Sequence, residues 1–188
     1  MKRVRKSISE GEYTKLITHT LSDPTLKDHS RVKLLRVFHV LYFTGIRVNE
    51  ISHITIGKLK EIIKAGEGII YTSKKDKERV IYLSEQGAKK LSQLTKDEED
   101  HNYLVCSWNK ATTPMHPISL IKLVNDYMKK VLGAGYTSHS FRQGIVTDMF
   151  SSGAATKVVQ MFIGHADAAT TLRYDTPTPA RIKSALVR

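Results

Sequence analysis

Residues 28–44 constrain the chain most. Val32, Leu34, Leu35, Phe38, Leu41 and Tyr42 recur there at helical spacing, and the run ends at Gly45, which predicts a long helix with an apolar face and a glycine stop. Such a face must be buried under neighbouring elements, and the flanking segments supply them. Ser9 with Glu12 three residues on has the form of a capping box for a first helix running to about Leu21, which Asp23 and Pro24 stop. Beyond Gly45, Arg47 to Ile51 open a further short helix. Residues 68–72 and 79–83, rich in Ile, Val and Tyr, predict two strands joined by the polar residues 73–78, a hairpin with a basic tip. Ser84 predicts the N-cap of a helix to about Leu94, and residues 103–106 a short strand with Cys106 as a small core residue at its end. Helices are expected at 118–132, 139–151, 156–163, 168–174 and 178–186, with Gly133, Gly153 and Gly164 as stops. The expected fold is mainly α with a small antiparallel β-sheet (α+β), in one domain spanning 1–188, without internal repeats or low-complexity tracts.

Charge narrows the partners. Thirty Lys and Arg against eighteen Asp and Glu give a formal net charge of +12, which favours a polyanion such as nucleic acid, although a basic solvated surface is the common alternative. Cys106 is the single cysteine, so intramolecular disulfides and cysteine-rich zinc sites are excluded and a reducing compartment is expected. The basic start, Met1 to Lys6, lacks the apolar stretch of a secretory signal, and no segment reaches the ~20 apolar residues of a membrane span. The expected location is cytoplasmic, nucleoid-associated in a bacterium. The acidic run Asp97 to Asp100 is expected to be a solvated loop without a functional role.

Several residues offer phosphate chemistry, each with a plainer alternative. Arg47, at the turn after Thr44-Gly45-Ile46, can present a planar fork to two phosphate oxygens, or can be a surface arginine. Glu50, three residues later, is placed to hold it by an i,i+3 pair, a positioning role and not that of an acid. His139-x-x-Arg142 puts two side chains on one helical face near a helix start, where backbone N–H groups favour anions. The alternatives are a cap or satisfied core imidazole for His139 and a solvent-facing ion pair for Arg142. His165, between Gly164 and Ala166, can hydrogen-bond a phosphoryl oxygen or simply pack its ring. Tyr174 can be a core tyrosine or a nucleophile. With an ordinary phenol pKa near ~10, a nucleophilic tyrosine needs a base or a cationic field as it attacks.

Taken as an ordered set, these residues resemble the tyrosine site-specific recombinase family of phage integrases and chromosome-dimer resolvases. The resemblance rests on Phe43-Thr44-Gly45-Ile46-Arg47-Val48-Asn49-Glu50, the hairpin from Lys74 to Arg79, Ser138 to Arg142, Val158 to His165, and Thr170-Thr171-Leu172-Arg173-Tyr174. It spans roughly residues 8 to 180. His165 follows Arg142 by 23 residues and Tyr174 follows His165 by nine, as in the family pattern. The resemblance implies that Arg47 and Arg142 clamp the non-bridging oxygens of a scissile phosphate while Tyr174 attacks phosphorus and becomes joined to a DNA 3′ phosphate. It makes His139 the group that accepts and returns the tyrosine proton, His165 a further donor to the phosphoryl group, and Lys74 the acid for the departing 5′ oxygen. Aligning Lys77-Glu78-Arg79 with the family's equivalent run selects Lys74. Lys75, Lys77 and Arg79 are then expected to contact DNA.

The implied partner is double-stranded DNA bound by a homotetramer on two sites, with a monomer as the alternative off DNA. Residues 177–188, with Ile182, Ala185 and Leu186, are the implied helix exchanged between subunits. No cofactor, ATP or metal is implied. Gln143 stands where the family commonly has a second histidine, and the family's separate N-terminal helical domain is expected to be absent. Within the same chemistry, a type IB topoisomerase or a telomere-resolving enzyme is the alternative, and a non-catalytic DNA-binding module of the same fold is the alternative outside it.

Overall fold

The computed structural model describes residues 6–72, 77–108 and 110–164. Eight helices and one hairpin are present among them: α1 Glu10–Ser22, α2 Asp28–Thr44, α3 Val48–Ile51, α4 Ile56–Ala65, β1 Glu67–Thr72, β2 Lys77–Tyr82, α5 Glu85–Thr95, α6 Pro117–Leu132, α7 His139–Ser151 and α8 Thr156–Ile163. The mainly helical fold with a small antiparallel sheet is therefore as the sequence predicts. The helices expected at 168–174 and 178–186 lie outside the described residues.

Helix α1 starts as expected. The Ser9 hydroxyl accepts from the Glu12 amide, and the Glu12 carboxylate accepts from the Ser9 amide at 2.7 Å, so two amides at a helix start are satisfied reciprocally. Helix α2 ends at Gly45, whose φ of +60° only glycine adopts without strain. Between those limits α2 is buried on more than one face. Leu34, Val37, Phe38, Val40 and Leu41 all lie in the main core, and Leu35, Arg36 and His39 are buried too, whereas Val32 is exposed. Helices α1, α3, α5 and α7 all pack on α2, which is why its middle has no solvent side.

Burying Arg36 requires acceptors. It takes them from the carbonyls of Leu94 and Leu104, both at 3.4 Å, and from the Glu98 carboxylate. Lys60 in turn donates to the Glu98 carbonyl at 2.8 Å and to Asp100 at 2.7 Å. The acidic run, expected to be only solvated, is thus pinned from two elements. Two further expectations are corrected. Residues 103–106 form isolated bridges, Thr55 with Tyr103 and Cys106 with Pro114, and no continuous strand, and Cys106 is half-buried. Residues 56–65 form a further helix, α4. Thr55 caps its start by accepting from the Lys58 amide, and Gly66 ends it in the left-handed region.

Two apolar clusters meet along α7. Phe141 belongs to the main core, while Val146 and Phe150 pack with Val159 and Ile163 of α8 in a smaller one. Segment 6–9 crosses α7 closely, with the Ile8 amide donating to the Ser140 carbonyl at 3.1 Å. The crossing requires Gly144, where a Cβ would come within 2.2 Å of the Ile8 carbonyl oxygen. No described helix is long and apolar enough to cross a membrane.

Candidate active site

The left-handed turn at Gly45 brings three elements together. A Cβ there would touch Ile145 of α7 at 3.0 Å and Phe162 of α8 at 3.3 Å, so the end of α2 seats directly on both helices. Arg47 follows two residues later as the N-cap of α3, in extended conformation. Its backbone amide donates to Glu50 Oε2 at 2.8 Å and its guanidinium Nη1 to Glu50 Oε1 at 3.0 Å. The i,i+3 pair expected from the sequence is therefore formed. Glu50 is only 1% exposed, while the Arg47 side chain remains 37% exposed.

The hairpin closes over this pair from the other side. Residues 78, 80 and 82 face outward with Glu78, Val80 and Tyr82 exposed, whereas Ile81 is buried and Arg79 shares its face, opposite the buried Ile70. An arginine on an inward face needs an acid. Arg79 Nη2 meets Glu50 Oε2 at 2.8 Å, with the Arg79 side chain 10% exposed. Burial alone would raise the Glu50 pKa, but the hydrogen bond and charge of Arg79, with those of Arg47, hold the carboxyl below its ordinary value.

Arg142 completes the described arrangement from α7. It is 3% exposed, and it donates through Nη1 to the Gly45 carbonyl at 2.8 Å and through Nη2 to the Ile163 carbonyl. Both acceptors lie at helix C-termini, where orphan carbonyls attract cations. One guanidinium thereby ties the ends of α2 and α8 to α7, and the solvent-facing alternative for Arg142 is ruled out. Gly164 follows at once, with φ +62°, and a Cβ on it would come within 3.2 Å of Arg79 Cδ. Arg47, Glu50, Arg79 and Arg142 are thus brought to one junction.

His139 is the first residue of α7, one turn before Arg142, and is half-buried. The start of that helix is fixed by side chains: the Ser138 amide donates to Asn125 Oδ1 at 2.7 Å and the Thr137 amide to Ser140 Oγ at 3.0 Å. Lys74, Lys75, His165 and Tyr174 lie outside the described residues, and Lys77 is described only as backbone within β2. Sequence reasoning missed the inward turn of Arg79 and its union with Glu50. The signal available was the alternation along β2, which places residue 79 on the face of Ile81. Among the described residues no group of three His, Cys, Asp or Glu side chains converges as a metal site.

A family model described as the phage integrase family matches residues 6–181. Tyrosine recombinase XerA of Pyrococcus horikoshii is 27% identical over 192 residues, covering 98% of this chain and 61% of that protein. Its counterpart from Pyrococcus furiosus is 28% identical, covering 100% and 63%. Tyrosine recombinase XerC of Staphylococcus epidermidis is 29% identical over 78% of this chain and 51% of its own length. The chain thus spans about three fifths of the XerA relatives it matches. Among solved structures, the crystal structure of XerA recombinase superposes with a TM-score of 0.73 at 22% identity, covering 98% of this chain and 64% of that one. The pre-cleavage complex of XerH site-specific recombinase with difH substrate gives 0.70 at 19%, covering 98% and 54%. The catalytic domain of bacteriophage HP1 integrase gives 0.60 at 15%, covering 97% and 94%. At these identities the superpositions establish the fold.

Proposed function

This chain belongs to the phage integrase family, and from that premise we propose that it cleaves and rejoins duplex DNA in site-specific recombination or integration, through a 3′-phosphotyrosine at Tyr174. The observation that carries the proposal is the junction at Gly45, where Arg47 and Arg142 emerge from different helices and are each oriented by an internal acceptor. Two guanidiniums held at one place suit the charge that develops on the non-bridging oxygens of a phosphate under attack. Their orientation is set before DNA arrives, so little reorganisation is needed during reaction.

In this mechanism Tyr174 attacks phosphorus, its proton passing to His139, while Lys74 protonates the departing 5′ oxygen and His165 donates to the phosphoryl group. The bond energy is retained in the phosphotyrosine, so a 5′ hydroxyl from another strand reseals the DNA by the reverse steps. Lys75 and Lys77 bind neighbouring phosphates. The working assembly is a homotetramer on two duplexes, in which residues 177–188 of one subunit dock on the next. An open groove of about 510 Å³ beside the site, lined by Tyr42, Phe43, Ile145, Asp148, Met149 and Phe162 among others, suits a segment that combines Ile182 and Leu186 with Arg181 and Lys183.

Covalent trapping tests the reading. The protein is incubated with a pool of nicked, sequence-randomised duplexes, so that a short fragment diffuses away after cleavage and religation is blocked. An SDS-resistant protein–DNA adduct that disappears in Tyr174→Phe is the expected result. Binding of the pool without any adduct would sink the proposal in favour of a non-catalytic DNA-binding module.

A further inference from the structure

Glu50 has two oxygens and two guanidiniums. Oε1 accepts from Arg47 Nη1 at 3.0 Å, and Oε2 accepts from Arg79 Nη2 at 2.8 Å and from the Arg47 amide. A carboxylate and a guanidinium left to themselves prefer a bidentate fork, with both oxygens on two nitrogens of one arginine. Here Arg79 and the Arg47 backbone amide occupy the second oxygen, so the Arg47 guanidinium touches Glu50 through a single nitrogen and its side chain stays 37% exposed. The geometry points to Arg79 as a positioning residue of the reaction, which acts through Glu50 to keep the Arg47 fork turned outward for a phosphate.

Three further observations support this. Arg79 is placed inward by the alternation of β2, beside Ile81 and across from Ile70, where a cation serves no packing purpose that an aliphatic residue would not serve better. Its Nε and Nη1 are buried and have no hydrogen-bond partner among the described residues, so Glu50 is the one acceptor described for this guanidinium. Its stem lies against Gly164, where a Cβ would approach Cδ to 3.2 Å, so the last turn of α8 leaves room for it. If Arg79 is removed, Oε2 loses its side-chain cation in a buried setting. The nearest guanidinium able to replace it is that of Arg47, which would be drawn inward as a fork and away from the DNA.

The inference rests on the proposed phosphate chemistry, and its test separates the two. On a duplex carrying the site identified by trapping, Arg79→Gln is expected to slow cleavage about 10- to 100-fold, as loss of a supporting partner commonly does. The conservative Arg79→Lys should recover most of the rate, since one ammonium can still hold Oε2. Replacing a non-bridging oxygen of the scissile phosphate by methyl removes the charge that Arg47 clamps. On that neutral substrate the defects of Arg79→Gln and of Arg47→Ala should both shrink, whereas a purely structural defect would persist unchanged and overturn the assignment. The slope of log affinity against log salt should match wild type, and a slope reduced by about one would instead mark Arg79 as a direct phosphate contact and refute it.

A readout independent of catalysis covers the case in which wild type forms no adduct, which would defeat the functional proposal alone. In nitrogen-15 spectra of the free protein, exchange of the Arg47 guanidinium protons should slow in Arg79→Gln as a second bond to Glu50 forms. Unchanged Arg47 signals in a folded variant would overturn the inference whatever the enzyme does.

Discussion

Asp23 and Glu50 are both buried carboxylates facing cations, but the company they keep differs. Asp23, between α1, α2 and α6, accepts from the Thr25 amide and hydroxyl at 2.9 and 2.7 Å, from the Tyr127 hydroxyl at 3.1 Å and from Lys130 at 2.6 Å. The Lys130 hydrogen bond, followed by those of Thr25, holds its carboxyl well below the usual range, and burial, with Asp23 adding to it, pushes the Tyr127 phenol up to about 12. The cation at Asp23 is a single lysine, itself 47% exposed, which also donates to Thr25, with His19 3.8 Å from the carboxylate. Glu50 instead meets two arginines, one partly exposed and one with buried N–H groups lacking partners among the described residues. A carboxylate met mainly by neutral donors and one lysine stabilises a junction between helices, whereas one shared by two guanidiniums gathers more cationic N–H groups than it can accept, an arrangement suited to an anion that arrives later.

The strongest way to break the contrast is at the arginine between the helix ends. Arg142→Ala should lower cleavage by about 10³-fold or more, on the scale of losing a preorganised donor, while much nonspecific DNA binding survives. An equal loss of both in adduct and filter-binding assays would make Arg142 structural only. Next come the two carboxylates themselves. Glu50→Gln should reduce cleavage sharply and destabilise the protein by about 3 kcal/mol, because it leaves two cations around a neutral group. Asp23→Asn should lower the thermal midpoint and leave cleavage essentially unchanged. If both variants lose activity in proportion to stability, the distinction between the two sites fails.

Acid titration sharpens the point. The folded pKa of Glu50 is depressed, so its contribution is present above the unfolded value near ~4.3 and is lost as pH falls through the lower folded one. Asp23 has the same sign. Thermal midpoints measured from pH 7 downward should therefore fall less steeply in either variant than in wild type. The smallest effect is expected at Asp148, an exposed residue where partial desolvation, with the charge of Glu10 adding to it, raises the carboxyl pKa. Here the sign reverses: stability is fullest below the unfolded pKa and is lost as pH rises through the folded one. Asp148→Asn should slightly raise the thermal midpoint at pH 7, and the gain should vanish in acid.

Local signals were legible where they are complete within a few residues. The Ser9 and Glu12 box, the glycine stops at 45 and 164 and the Arg47 to Glu50 pair all formed as their spacing predicts. Helix α4 is only partly legible: Thr55, Ile56, Leu59, Ile62 and Gly66 carry its cap, stripe and stop, whereas Gly57 and the isoleucines weaken helical propensity. The pinning of Asp97 to Asp100 was not legible, since Arg36 and Glu98 are 62 residues apart and nothing local in either segment names the other.

By itself the chain determined most of its element types, its positive charge and the family to which it belongs, since these depend on residue order and on spacings along the sequence. Tertiary structure alone decided which face of β2 turns inward, and hence that Arg79 meets Glu50 and not solvent. It also decided that Arg142 is buried against the carbonyls of Gly45 and Ile163. The physical reason is that a buried charge takes its meaning from partners that packing brings within hydrogen-bonding reach, and here those partners come from helices and strands far apart in the sequence.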